Sequence, residues 1–424
     1  MFEPLRDPRF RQLFAAQLVS LLGTGLLTVG LGLTAFDMAG ANAGAVLGWA
    51  LTLKMVAYVG LAPFAAALAE RLPRRGFLIA LNLFRGGVAA CLPWVTEIWQ
   101  IYVLIFLLQA ASAAYTPAFQ ALLPALLPDE QVYTRALALS RLAYDLESVG
   151  SPLFAALLLL AMPASGLFGG TAIGFLLAAL LVSRVLLPPL GASGSGPFLE
   201  RAARGVRIFR ATPRLRALMG LNLVVAAGGA MVLVNTVVIV EHRLGLTEGA
   251  VALALAAYGL GSMLSALTLP RVLDRVGDRA VTLVAGAVLS LCAAVLVLFL
   301  SAGGPEWAAL ILLWCMLGLA GGAVMLPSGR ILARSAAPPD RPAIFAAQFS
   351  LSHACWLVAY PLAGWGGAAL GLAPAAMILA VLGAIGLAAA VFLWPKGDPP
   401  GRMILVNDKV MGMPPPVADM RVVG

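Results

Sequence analysis

Charge is scarce in this chain. Of its 424 residues, 11% are Asp, Glu, Lys or Arg and 61% are hydrophobic, with a mean hydropathy of +0.96. A soluble fold dilutes its apolar core with a charged exterior, so this balance excludes an ordinary soluble domain. Histidine occurs twice and cysteine four times (Cys91, Cys292, Cys315, Cys355), with no CxxC spacing. Neither a disulfide framework nor a structural zinc site is expected from so few. Two isolated histidines also argue against a membrane-embedded enzyme, which would want a His/Asp cluster or a Ser/Lys pair. The glycine runs lack a following P-loop lysine, so no nucleotide drives the protein directly and no cofactor is expected. Ten-residue alternating segments, the signature of a membrane β-barrel, are missing too. Instead of a cleavable leader, the charged start (Glu3, Arg6, Asp7, Arg9, Arg11) runs into an apolar stretch too long for one.

What the chain does have is apolar runs long enough to cross a bilayer, which takes about 20 residues each. They predict an all-α membrane protein of twelve transmembrane helices in two six-helix bundles. The expected spans are 12–36, 43–69, 76–94, 99–123, 136–160 and 165–187, then 214–240, 247–270, 280–301, 306–330, 342–366 and 370–394. The organisation that follows is a bundle over 1–187, a linker over 188–213, a second bundle over 214–395 and a disordered tail over 396–424. The linker opens Gly-Ala-Ser-Gly-Ser-Gly-Pro and continues as a short basic helix bearing Arg201, Arg204, Arg207 and Arg210. Arg and Lys gather in the termini, the linker and the connections after even-numbered helices, which places both termini in the cytoplasm. The net charge of +9 therefore faces anionic lipid rather than nucleic acid. A monomer suffices for this layout.

The two halves repeat each other. Glu70-Arg71-Leu72-Pro73-Arg74-Arg75 follows the second expected helix, and Asp274-Arg275-Val276-Gly277-Asp278-Arg279 follows the eighth. Pro117 matches Pro327, and Ser151-Pro152-Leu153 matches Tyr360-Pro361-Leu362. Parallel six-helix repeats are a layout of carriers that rock about a midplane site. The two basic loops resemble the acidic-Arg-x-Gly-x-basic loop of the major facilitator superfamily. Arg9-Phe10-Arg11-Gln12-Leu13-Phe14 and Pro117-Ala118-Phe119-Gln120 resemble its drug-exporter branch, and Gly150-Ser151-Pro152 resembles that branch's antiporter motif. Gly23-Thr24-Gly25, Arg141 to Pro152 and Ser352-His353-Ala354-Cys355-Trp356 look like nickel-resistance exporters, although the histidine-rich tail common in those is absent. The resemblance implies the major facilitator fold. It also implies that Glu70, Arg71, Arg74, Arg75, Asp274, Arg275, Gly277 and Arg279 form gating loops that brace one conformation.

Five charged residues fall inside expected helices away from their ends: Lys54, Arg85, Arg141, Asp145 and Glu147. Unpaired, they would cost on the order of 12–17 kcal/mol on insertion scales. Arg141 and Asp145 share a helical face at i, i+4. Glu147, turned away from Asp145 and near the middle of its span, is the first choice for a proton-coupling group, with Asp145 second. A static ion pair accounts for the same residues. Lys54, Arg85, Arg141, Gln109, Asn222, Asn235 and His353 are candidates for substrate contact or charge pairing, and interhelical hydrogen bonding is the plainer alternative for the amides. His353 and Cys355 suit a borderline-soft divalent metal, though their spacing points them to different faces. Gly150, Pro152 and Pro361 are candidate hinges. These residues lead to an expected inner-membrane secondary transporter that couples proton entry to export of a small solute. Its substrate would be nickel or another divalent metal, an amphipathic drug, or an anion drawn to Lys54.

Overall fold

A computed structural model describes residues 2–39, 43–69, 72–187, 198–303, 306–395, 403–406 and 409–412. Thirteen α-helices occur among them: α1 (Pro8–Ala39), α2 (Ala43–Ala69), α3 (Arg74–Cys91), α4 (Ile98–Leu126), α5 (Glu130–Leu159), α6 (Gly166–Ser183), α7 (Phe198–Ala211), α8 (Pro213–Val237), α9 (Glu248–Leu273), α10 (Asp278–Ser301), α11 (Trp307–Arg334), α12 (Arg341–Leu370) and α13 (Leu372–Leu393). Eleven helical segments are long and apolar enough to cross a membrane; α5, which carries Arg135, Arg141, Asp145 and Glu147, is outside that set. The short basic helix expected in the linker is α7. Glu70 and Arg71 of the first gating loop and the linker's opening, 188–197, lie outside the described residues.

Two expectations need correction. Helix α5 begins at Glu130 rather than 136, because Asp129 caps it by accepting a hydrogen bond from Val132 N at 2.9 Å. An Asp at the cap satisfies an orphan N–H at the helix start, a signal the hydropathy run passes over. In the tail, Met403–Val406 and Lys409–Gly412 pair as an antiparallel ladder, so part of the stretch expected to be disordered is regular. Ile404, Leu405, Val406 and Val410 supply the strand preference that the Pro and Gly content of the tail obscured.

Helices α1–α6 pack on one another, as do α8–α13, and α7 lies against α2 and α12. The two halves meet through α2 with α12, α5 with α9, α4 with α12 and α5 with α11. In the repeat, α2 corresponds to α9, α4 to α11 and α5 to α12, so these contacts come in symmetry-related couples. This is the arrangement expected when one six-helix unit faces its own copy.

Close packing within the second half depends on glycine. A Cβ on Gly318 would lie 1.9 Å from the Tyr258 carbonyl oxygen, and one on Gly261 would lie 1.9 Å from that of Cys315. Backbones of α9 and α11 thus touch where small residues allow it, which is how helices associate without a hydrophobic drive between them. At the chain start, Asp7 caps α1 and accepts from Arg9 N at 2.8 Å. Its side-chain hydrogen bonds with the Arg9 guanidinium hold the carboxyl below the usual carboxylate range.

Two outcomes follow from this packing. Gly318→Val should abolish assembly of a monodisperse protein, read by size-exclusion chromatography in detergent, because the clash is with backbone that has no room to move; Gly87→Ala, with nothing within 4 Å of its added Cβ, should leave it intact. Asp7→Ala should lower thermal stability by about 1 kcal/mol at neutral pH. The folded carboxyl is the stronger acid, so its contribution is present above the unfolded pKa and disappears as pH falls through the depressed folded value.

Candidate functional site

The polar residues of the spans sort into three groups at different depths. The first lies at the end of the bundle that carries α7. There α5 begins, α10 begins and α11 ends. Glu130, in the first turn of α5, meets Arg330 Nη2 at 2.6 Å and also pairs with Arg334. Both arginines also reach Asp278, Arg330 Nε at 3.3 Å and Arg334 Nη1 at 2.8 Å, and Arg330 Nη1 donates to Thr134 Oγ1 at 3.0 Å. Each charge stands near the helix end whose dipole favours it, acids at the starts of α5 and α10 and bases near the end of α11. Because Glu130 belongs to one half and Arg330, Arg334 and Asp278 to the other, this cluster ties the halves together.

Sequence reasoning placed gating in the loop residues and missed most of this latch. Its signal was present in the first-turn acids of α5 and α10 and the last-turn arginine of α11. Within the second loop the bridging carboxylate is Asp278, which is buried, whereas Asp274 is exposed and lines a cleft of about 320 Å³ with Arg135 and Arg271. Arg275 is exposed, Arg279 is half-buried and Gly277 precedes α10. In the first loop, Arg75 donates to the Ser183 carbonyl oxygen of α6, and Arg74 lines a small void with Phe77 and Pro342.

Deeper in the bundle, Arg141 and Asp145 form the expected i, i+4 pair at 3.2 Å. Arg141 does not reach for the interface. Its Nε and Nη2 donate to Ser262 Oγ of α9 at 2.9 and 2.8 Å, and Ser262 also bonds Asp145. The pair is therefore a second tie between the halves, with Tyr258 of α9 in electrostatic reach of both charges.

The third group sits between α2, α4, α5 and α12. Lys54 Nζ stands 5.6 Å from the centroid of the Tyr58 ring, and the Tyr58 hydroxyl donates to Gln109 Oε1 at 2.9 Å. From the other half, Phe349 and His353 each bring a ring centroid to 4.8 Å from that of Tyr58, and Ser350 Oγ donates to the Val59 carbonyl oxygen. Glu147 interacts electrostatically with Lys54, Tyr58 and Tyr144. It forms no direct ion pair with Lys54 among the described contacts. A carboxylate and an ammonium thus lie in electrostatic reach of one another, with the ammonium beside aromatic rings from both halves. Tyr58, Tyr144 and Phe349 were not singled out from sequence, since aromatic residues in apolar runs carry no distinguishing mark there.

Other candidates lie elsewhere. Asn222 and Gln348 exchange two hydrogen bonds of 3.2 Å, and Asn235 Nδ2 donates to the Ala363 carbonyl oxygen at 3.0 Å, so both asparagines join α8 to α12 inside one half. Cys355 is buried with its thiol on the Leu351 carbonyl, and His353 Nδ1 lies 2.6 Å from the Phe349 carbonyl oxygen. No group of three or more His, Cys, Asp and Glu side chains placed to hold a metal occurs among the described residues. Arg85 is buried in the first half between α3, α4 and α6. Of the hinge candidates, Gly150 and Pro361 lie within uninterrupted helices, α5 and α12; so does Pro152, whose side chain lies outside the described residues.

Two helical repeats meeting through symmetric couples, with a charged aromatic site between them, call for comparison with known carriers. The Major Facilitator Superfamily model matches residues 13–240 and 218–407. The chain belongs to that superfamily. Such proteins are transporters rather than enzymes, and this one is a multi-pass membrane protein. It is 26% identical over 219 residues to macrolide efflux protein A of Streptococcus pyogenes, a match covering 50% of this chain and 53% of that one. To the protein of the same name from Enterococcus faecalis it is 26% identical over 186 residues, covering 41% and 57%. The chain thus spans little more than half the length of the curated relatives it matches. Among solved structures, the human organic anion transporter MFSD10 aligns with a TM-score of 0.75 at 13% identity, over 90% of this chain and 98% of that one. FucP in its outward conformation aligns with a TM-score of 0.67 at 16% identity, over 93% and 100%. These likenesses establish the fold.

The latch makes a direct claim on this transporter. Glu130 is 42% exposed, so its two arginine contacts contribute about 1 kcal/mol rather than the full value of a buried pair. Glu130→Gln should shift the equilibrium about fivefold toward separation of the halves at the α7 end. Faster maleimide labelling of a cysteine at Leu137, which packs against Gly329 across the seam, is the measurement that checks it.

Proposed function

We propose that this protein is a proton-coupled exporter of a small amphipathic organic solute, working by alternating access in the inner membrane. The bundles over 1–187 and 214–395 rock against each other, twelve spans in all, with both termini and α7 on the cytoplasmic side. The observation that carries the reading is the electrostatic coupling of Lys54 and Glu147 beside Tyr58, Phe349 and His353, rings drawn from both halves. A carboxylate in such surroundings exchanges its charge state at low cost only when a cation is near. Protonation of Glu147 would release Lys54, and an organic solute with polar and aromatic surface could then engage Lys54, Tyr58 and Gln109. Aromatic rings give a bulky apolar solute large contact area, and a few fixed polar groups orient it. The similarity to macrolide efflux proteins supports efflux of such a solute.

In this conformation the Glu130, Arg141 and Ser350 contacts all tie the halves together between the central site and the α7 end. We assign it as closed to the cytoplasm and poised to take a proton from outside. A divalent-metal substrate is the weaker reading: His353 and Cys355 each turn to a main-chain carbonyl of their own helix and do not form a ligand set. An anionic substrate would have to displace Glu147 from Lys54.

Efflux from a pump-deficient host, with macrolides, cationic dyes and nickel as the panel, tests the proposal. Glu147→Gln should remove export driven by an imposed pH gradient while leaving solute binding measurable. Tyr58→Phe should weaken solute affinity about fivefold, the contribution of one hydrogen bond near 1 kcal/mol. Export by Glu147→Gln that follows the pH gradient as the parent does would sink the coupling role. Tolerance to nickel alone would replace the organic solute with the metal.

A further inference from the structure

The charges buried in the first half do not balance. Among the described residues, Asp145 is matched by Arg141 and Glu147 faces Lys54, which leaves Arg85. Arg85 is 4% exposed, and its guanidinium lies between two rings, 4.3 Å from the Tyr115 centroid and 4.4 Å from that of Phe175. One Nη2 bond goes to Asn82 Oδ1, and the groups that act on it electrostatically are the phenols of Tyr58, Tyr115 and Tyr144, with no carboxylate among them. A buried cation left without a counter-charge is strongly destabilising. Cation–π contact offsets part of that cost at a desolvated site.

Two hydrogen-bond donors in this cluster are also unmet. Arg85 Nε is buried with no partner, and the Tyr115 hydroxyl, which has Asn82 as a donor beside it, has no acceptor for its own proton. Asn82 is fully buried and Tyr115 is 5% exposed. Buried donors go unmet rarely, and two on side chains in mutual contact point to a missing acceptor. Every one of the unmet atoms is an N–H or O–H, so the missing group is an acceptor, and the uncompensated charge makes it an anion. The side chains come from α3 and α4, closed by Phe175 of α6, all buried inside one half, with Tyr58 and Tyr144 of the central site in electrostatic reach. That enclosure selects a small resident ion over a substrate carboxylate.

From this geometry we infer that Asn82, Arg85 and Tyr115 form a binding site for a halide-type anion that neutralises Arg85 and stabilises the first bundle. The test uses the purified full chain in detergent, unfolded thermally in sodium chloride and in sodium gluconate at equal ionic strength. Chloride should raise Tm saturably, and Arg85→Gln should lose that shift. Asn82→Asp supplies a carboxylate in contact with Arg85, so in gluconate it should reach the Tm the parent has in chloride, and chloride should add nothing. Crystals grown in bromide should show an anomalous peak beside Arg85. Equal Tm of the parent in the two salts, a chloride shift retained by Arg85→Gln, or a chloride shift retained by Asn82→Asp would each overturn the inference. So would the absence of a bromide peak, the result expected where water meets the two donors. Should Arg85→Gln fail to fold, Asn82→Asp and the bromide crystals decide the matter.

Discussion

A charge in hydrocarbon has no solvent to turn to, so its partner has to be something the fold puts beside it. That constraint orders the interior of this transporter. Arg141 finds Asp145 on its own helix and Ser262 on the other half; Glu147 finds Lys54 across a helix boundary; Arg85 is wrapped in rings and amide. Each solution puts the charge in a different setting: the first joins the halves, the second lies beside aromatic rings from both halves, and the third sits among rings and an amide inside one bundle.

The same constraint explains why the ties between halves grow stronger toward the end bearing α7. There the helix ends present their own dipoles, and water is near enough to lower the cost of holding Glu130, Arg330, Arg334 and Asp278 together. Midway through the bundle the ties are a serine bridging Arg141 and Asp145, another serine on a carbonyl, and aromatic contact between Tyr58 and Phe349. A carrier needs contacts that hold yet exchange, and half-exposed ion pairs with single hydroxyl bridges meet that need better than a continuous apolar seam. The seam contrasts with the α9–α11 contact inside the second half, where Gly261 and Gly318 bring backbone against backbone and leave no room to slide.

Asn222, Asn235 and His353 show how position in a span and role diverge. All three fall on helices that the repeat places toward the centre. The first two are taken up in bonds between α8 and α12, and only His353 reaches the other half, against Tyr58. A polar side chain in an apolar run must find a partner, but the helix face decides whether that partner is a neighbouring helix or a substrate. A shift of one residue turns a side chain by about 100°.

The sequence by itself determined the class of molecule, because hydropathy over 20-residue windows and the lean charge count leave membrane helices as the only stable answer. It also determined the repeat, through paired loops and prolines at a constant offset, and the Arg141–Asp145 pair, through i, i+4 spacing. Only the tertiary structure decided which long-range partners meet: Glu130 with Arg330, Arg141 with Ser262, Tyr58 with His353, and Arg85 with no carboxylate among the described residues. These pairs are far apart along the chain, or are defined by what is missing, and no periodicity records either. Helical pattern is local, and the neutralisation of a buried charge is not.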